Sequence, residues 1–350
     1  VRISPSFRCA LLAIVALLAA RTGYAQPDPL QAGRTVLANA GGMGETARLE
    51  LPAGGSLQLD LPDNAEMSSL AEAATGSDNG WIAAGSFRGA TGRRELLLLE
   101  GDASGSRSLP VPADQIGTER RSPVVLVSGG RLAGLAWLEG DGDRSLAVRA
   151  AAWNGEGWDA PARVSQPGPG SQLALAGAVL GDGSWLLAWS AFDGEDDEIV
   201  WSRFSEGRWS PAKGLTDNHV PDITPTVVAA GRGARIAWSR FDGNDYRLRG
   251  AGFANGAWVG ERWAAPAGSV LPAFRTIAGR SYLLYFDARP RAWAALEMDA
   301  SGTGVRRAEA AGPAGERPAI FAGDAGEVRF RWPGANRDAR SPVEPVEKTP

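Results

Sequence analysis

Short apolar runs broken by Gly, Asp and Pro recur through the chain from about residue 45. Runs such as WLLAW, RIAW and YLLY mix β-branched, aromatic and small residues and end within a few positions, which predicts strands and hairpins. No stretch after the first 25 residues keeps a helical period with capping residues at both ends. The runs are periodic among themselves. Gly85, Trp137, Trp189, Trp238, Tyr285 and Trp332 each close one, at spacings of 52, 52, 49, 47 and 47. A second register passes through WNGEGW, FSEGRW and FANGAW, which end at Trp158, Trp209 and Trp258. A looser third is marked by Pro123, Pro225, Pro272 and Pro318, each expected to open a strand.

Four strands per period of about 50 residues predict an all-β chain folded as a β-propeller. The sixth unit stops after two strands, at Trp332, and the segment ARLELPAGGSLQLDLP (47–62) supplies a strand, a tight turn and a strand at the other end. A ring must not leave an edge exposed. The expectation is therefore a six-bladed β-propeller of four-stranded blades, closed by N-terminal strands completing the last blade. Its boundaries would be a signal peptide at 1–25, a linker at 26–44, the propeller at 45–332 and a disordered tail at 333–350.

Charge and cysteine narrow the setting. Arg2 and Arg8 precede the apolar run CALLAIVALLAA, and GYA at 23–25 offers small residues for cleavage, so a periplasmic or secreted protein is expected. That run is too short to anchor the chain in a membrane, and no later segment is long enough to span one. Cleavage leaves 33 basic against 40 acidic residues and removes Cys9, the sole cysteine. A mildly acidic chain without a basic run is a poor binder of nucleic acid, and disulfides and thiolate metal sites are excluded. A monomer without cofactor or resident metal is expected. Calcium needs only oxygen ligands, but neither EGDGDR nor DGEDDE has the spacing of a dedicated calcium loop.

The blade plan and the hairpins Asn154–Trp158, Ser205–Trp209 and Asn255–Trp258 resemble the sialidase-like, Asp-box family of propellers across roughly residues 45–332. These hairpins keep Gly and Trp but lose the Asp of the family's Ser-x-Asp-x-Gly-x-x-Trp box, and they are shorter by a residue. The resemblance implies the fold. It would also imply a glycosidase with three arginines, a Tyr–Glu nucleophile pair and an acid/base Asp. Arg121, Arg240, Arg275 and Arg317, and Tyr246, Tyr282 and Tyr285, are available for such roles, but the family's Phe/Tyr-Arg-Ile-Pro segment is absent.

In a propeller the loops joining strands two and three share a face with the linkers between blades. FDGED, FDGND, LEGDGD and FDARP should therefore ring that face with Asp193, Asp242, Asp143 and Asp287. Asp-Gly is also what a tight turn needs, since Gly supplies positive φ and Asp tolerates it. His219, the only histidine, lies with Asp222 in the linker TDNHVPDITP, and Arg240 closes the next strand. One histidine without cysteine cannot build a typical zinc site, and no nucleophile elbow accompanies it. Recurring tryptophans at fixed blade positions should fill the wedge between blades, leaving Trp263 and Trp293 as candidates for exposed rings. The function expected is a non-catalytic binder of a glycan or a cell-envelope protein, with its ligand over blades three and four. The alternative is a sialidase-like hydrolase.

Overall fold

A computed structural model describes residues 46–345 apart from 51–55, 61–64, 74–79, 103–104, 114–117, 141–145, 167, 262–264, 278–279, 300–303, 313–316, 323–326, 333–338 and 342–343. The expected signal peptide, the linker at 26–44, Asp143 and Trp263 lie outside the described residues.

The chain is an all-β propeller, and its described residues form five antiparallel blades of four strands. Blade 1 is Glu66–Ala73, Gly80–Arg88, Arg94–Asp102 and Gly105–Ser108. Blade 2 is Glu119–Ser128, Arg131–Gly140, Ala147–Ala152 and Ala162–Arg163. Blade 3 is Gln172–Val179, Trp185–Phe192, Asp197–Ser205 and Arg208–Trp209, with Lys213–Gly214 also pairing to its third strand. Blade 4 is Asp222–Ala230, Gly233–Phe241, Tyr246–Ala254 and Ala257–Glu261. Blade 5 is Ser269–Ile277, Arg280–Asp287, Ala292–Met298 and Gly304–Ala311. First strands of successive blades contact one another, so they form the inner wall.

The expected sixth blade and its seam are not what forms. Thr46–Glu50 and Ser56–Asp60 make the predicted hairpin, but among the described residues they pair only with each other. Ala319–Ala322 and Val328–Arg331 take their third strand from Ala339–Ser341, inside the segment expected to be a tail, and Glu344–Pro345 pairs with the last strand of blade 5. The physical reason is proximity along the chain. A strand a few residues downstream reaches a free edge at far lower loop-closure entropy than one nearly 300 residues away.

Both faces of the second strands of blades 2, 3 and 4 are apolar because each of these blades is packed between two others. In Trp185–Phe192, Leu187 and Trp189 pack against Leu138 and Val148 of blade 2. Leu186 and Ala188 pack against Ile236 and Trp238 of blade 4. Trp137 and Tyr285 likewise face the preceding blade. Trp137, Trp189 and Tyr285 are wholly buried and Trp238 nearly so, as expected of wedge fillers. Each such ring contributes roughly 5 kcal/mol at about 200 Å² of burial. Trp293, expected to be a possible exposed ring, is wholly buried against Phe286 in blade 5.

Pro318 directly precedes the strand Ala319–Ala322, as expected, whereas the other three prolines of the register mark a bulge instead of a strand start. Pro123, Pro225 and Pro272 sit inside first strands whose pairing slips at that point. The residue before each has left-handed φ: Ser122 (55°), Thr224 (54°) and Leu271 (59°). Ala174 (49°) occupies the same place in blade 3, where Leu175 replaces the proline. A bulge frees the position where proline has no N–H to give, which is how a strand accommodates one.

Candidate functional site

Each wedge tryptophan brings an indole N–H that must find an acceptor when buried. Trp189 donates Nε1–H to Gln172 Oε1 at 2.6 Å, and Trp137 donates to Glu139 Oε2 at 3.0 Å. In blade 4 the acceptor is a carboxylate: Trp238 Nε1–H donates to Asp222 Oδ1 at 2.7 Å. Asp222 is wholly buried and also accepts from Arg240 Nε and Nη2 and from Asn218 Nδ2, each at 2.7 Å. Asp222, wholly buried, is thereby committed to the scaffold, whereas Arg240 is bonded through Nε and Nη2 and also lines the open cleft between blades 3 and 4.

Asn218 is the hinge of the sector. Its backbone N–H donates to Glu198 Oε1 at 2.6 Å while its amide reaches Asp222, joining the third strand of blade 3 to the first of blade 4. Beside Glu198 stand Asp196 and Asp193, and carboxylate oxygens of the three lie within 4.8 Å of one another. Asp193 closes its own turn, accepting from the backbone N–H of Glu195 (2.8 Å) and Asp196 (3.2 Å). Asp196 is buried, and its Oδ1 has no hydrogen-bond partner. Burial, then the charges of Glu198 and Asp193, push its carboxyl up to about 7. Burial also raises that of Glu198.

The remaining candidates disperse. His219 is exposed at the rim, its Nδ1 3.0 Å from Glu195 Oε2, so the linker touches the blade 3 hairpin as the topology implied. Asp242 caps its own turn through the N–H groups of Asn244 and Asp245 and pairs with Arg247. The N–H of Asp245, then Arg247, hold its carboxyl down at about 2. Asp287 is not in the same collar. Strand pairing sets it opposite Ser269, as Arg240 is set opposite Asp222, and it is buried, accepting from Arg307 Nη2 at 3.0 Å. The tyrosines offered for catalysis are poorly disposed: Tyr285 is buried and burial pushes its hydroxyl up to about 12, as it does for Tyr246.

Sequence reasoning missed Asp196, Glu198 and Asn218. The signal was available in the blade alignment, where EDDEIV of blade 3 stands over NDYRLR of blade 4 and places Glu198 where Arg247 stands. It also missed an open cleft of about 400 Å³ between the two blades, lined by Thr216, Asp217, Asn218, Arg240, Trp238 and Trp258 among others. Trp258 is half-buried, packed against Trp201 and Phe253, and its Nε1–H is sealed from solvent without a partner. At the matching register position, Trp158 donates its own to Pro110 O at 2.8 Å.

No family model matches the chain, and no curated protein does. Solved structures do. A protein of unknown function from Dyadobacter fermentans aligns at 12% identity with a TM-score of 0.53, over 79% of this chain and 94% of that one. The Trypanosoma rangeli sialidase in complex with the inhibitor DANA aligns at 12% identity with a TM-score of 0.50, over 89% of this chain but 58% of that one. The Hadza microbial sialidase Hz136 aligns at 11% identity with a TM-score of 0.49, over 87% and 74%. At these identities the likeness establishes a fold, and that fold is the sialidase-like β-propeller.

Proposed function

We propose that this is an exported, non-catalytic β-propeller that binds a glycan at the junction of blades 3 and 4. The observation that carries the reading is the open cleft walled by Trp258 and by the polar linker side chains Thr216, Asp217 and Asn218. A half-buried indole ring beside the exposed carboxylate of Asp217 suits a ring that is apolar on its faces and hydroxylated at its edge. Export is supported by the leader-like first 25 residues, and the acidic balance argues against nucleic acid. A sialidase among the structural neighbours sets glycans as the ligand class to try first. The test is a glycan array followed by titration of any hit. Trp258→Ala should weaken binding at least about tenfold, or about 1.4 kcal/mol. An array without hits, or a hit indifferent to Trp258→Ala, would defeat the reading. A cell-envelope protein is the next partner to try in that event.

One observation favours a hydrolase as the second reading. Asp196, its carboxyl pushed up to about 7, neighbours two further carboxylates, which is how a glycosidase holds a general acid beside a nucleophile or base. A panel of chromogenic glycosides that includes a sialoside separates the two. Turnover lost in Asp196→Asn would make the protein an enzyme.

A further inference from the structure

Duplicated blades allow one hairpin to serve as the control for another. In blade 4 both acids of the turn meet an arginine: Asp242 pairs with Arg247, and Asp245 with Arg289 at 3.0 Å. In blade 3 the corresponding acids are Asp193 and Asp196, and the position of Arg247 carries Glu198. The sign at that position is reversed, so a turn that is neutralised in one blade gathers three carboxylates in the next. No Arg, Lys or His among the described residues forms an ion pair with any of the three.

Geometry adds a second, separate observation. Asp196 is more than nine-tenths buried, at 8% exposure, and its Oδ1 lacks any partner. A buried oxygen of this kind forfeits its hydration for nothing unless something replaces the water. Its carboxylate converges with those of Asp193 and Glu198, all within 4.8 Å. Oxygens bound to one calcium ion at about 2.4 Å can stand at most about 4.8 Å apart, a limit that the three carboxylates meet. The turn bonds fix two of the carriers. Asp193 is held by the N–H groups of Glu195 and Asp196, and Glu198 by that of Asn218, leaving each carboxylate with lone pairs to give.

We propose that Asp193, Asp196 and Glu198 form a binding site for a hard divalent cation, calcium in the first instance. The ion stands in for the arginine that blade 3 lacks, and water or ligand oxygens complete its shell. It ties the hairpin of blade 3 to the linker through Glu198 and Asn218. The idea goes beyond the glycan reading, and its probe is the ion alone, so either can fail without the other.

Full-length protein stripped with EDTA and titrated calorimetrically with calcium chloride should bind one ion, with Kd between about 10 μM and 1 mM. The melting temperature should rise with calcium over the same range. Glu198→Arg copies blade 4 and should abolish both responses. Asp193→Asn keeps an Oδ1 to close the turn and should weaken binding at least about tenfold, which preserves the test if Glu198→Arg fails to fold. Glu206→Gln, exposed in the hairpin between the third and fourth strands, should bind like the unaltered chain. No heat and no thermal shift up to about 10 mM calcium would overturn the proposal. So would calcium binding unchanged in Glu198→Arg and Asp193→Asn.

Discussion

The hairpins of blades 3 and 4 have one backbone and two electrostatic characters. In each, an Asp N–H meets the carbonyl three residues on at 3.1 Å, the same Asp caps two N–H groups, and the following glycine has positive φ, 125° at Gly194 and 98° at Gly243. The first Asp therefore closes the turn in both blades. The difference enters two residues into the third strand, where Glu198 opposes Ala191 in blade 3 and Arg247 opposes Arg240 in blade 4. A repeat holds its turn chemistry because the backbone demands it. Charge on the flanking strand is free to drift, and that is where one copy can acquire a role the other lacks.

The anchors beneath the two hairpins differ in the same sense, and breaking them gives the largest expected effects. Asp222→Ala removes the acceptor of Trp238, Arg240 and Asn218 at once and leaves a partly buried guanidinium without its counter-charge. The expected loss is about 3–5 kcal/mol, read from urea unfolding midpoints. Gln172→Ala in blade 3 strands a neutral indole N–H and removes a weaker bond to the Gly170 carbonyl, so about 1–2 kcal/mol should go. Equal losses in the two variants would mean that the charge of Asp222 adds nothing to the junction, and the contrast between the blades would collapse to packing.

Much of this was legible because duplication writes the blade into local sequence. The period, the turn glycines and the inward tryptophans at 137, 189 and 238 each follow from neighbours along the chain. Topology alone also brought His219 to the blade 3 hairpin and Asp222 to Arg240. The seam was not legible, since which strand takes a free edge depends on reach. The strand that takes it, Ala339–Ser341, is three residues long and carries no alternation to announce it. The fate of Asp222 was hidden for a different reason. Its spacing says which face it occupies, whereas the indole N–H that consumes it lies sixteen residues downstream, in the adjacent strand. Asp287 misled through Phe-Asp, a dipeptide that blade 5 uses two positions earlier in strand pairing than blades 3 and 4 do.

The smallest expected effect isolates what the turn does by itself. Asp242 is held at about 2, first by the N–H of Asp245 and then by Arg247. Its folded value lies below its unfolded one, so its contribution is present above about pH 4 and disappears as pH falls toward 2. Because the group is exposed, the global melting curve should barely register this loss. A carboxyl-carbon NMR titration registers it directly, with the resonance assigned by its absence from Asp242→Asn. The midpoint should fall near 2, and Arg247→Gln should move it only part of the way back, because the backbone donors act first. A return all the way to the ordinary carboxylate range in Arg247→Gln would assign the effect to the ion pair. The two hairpins would then share a sequence without sharing the turn bonds that make blade 4 the control for blade 3.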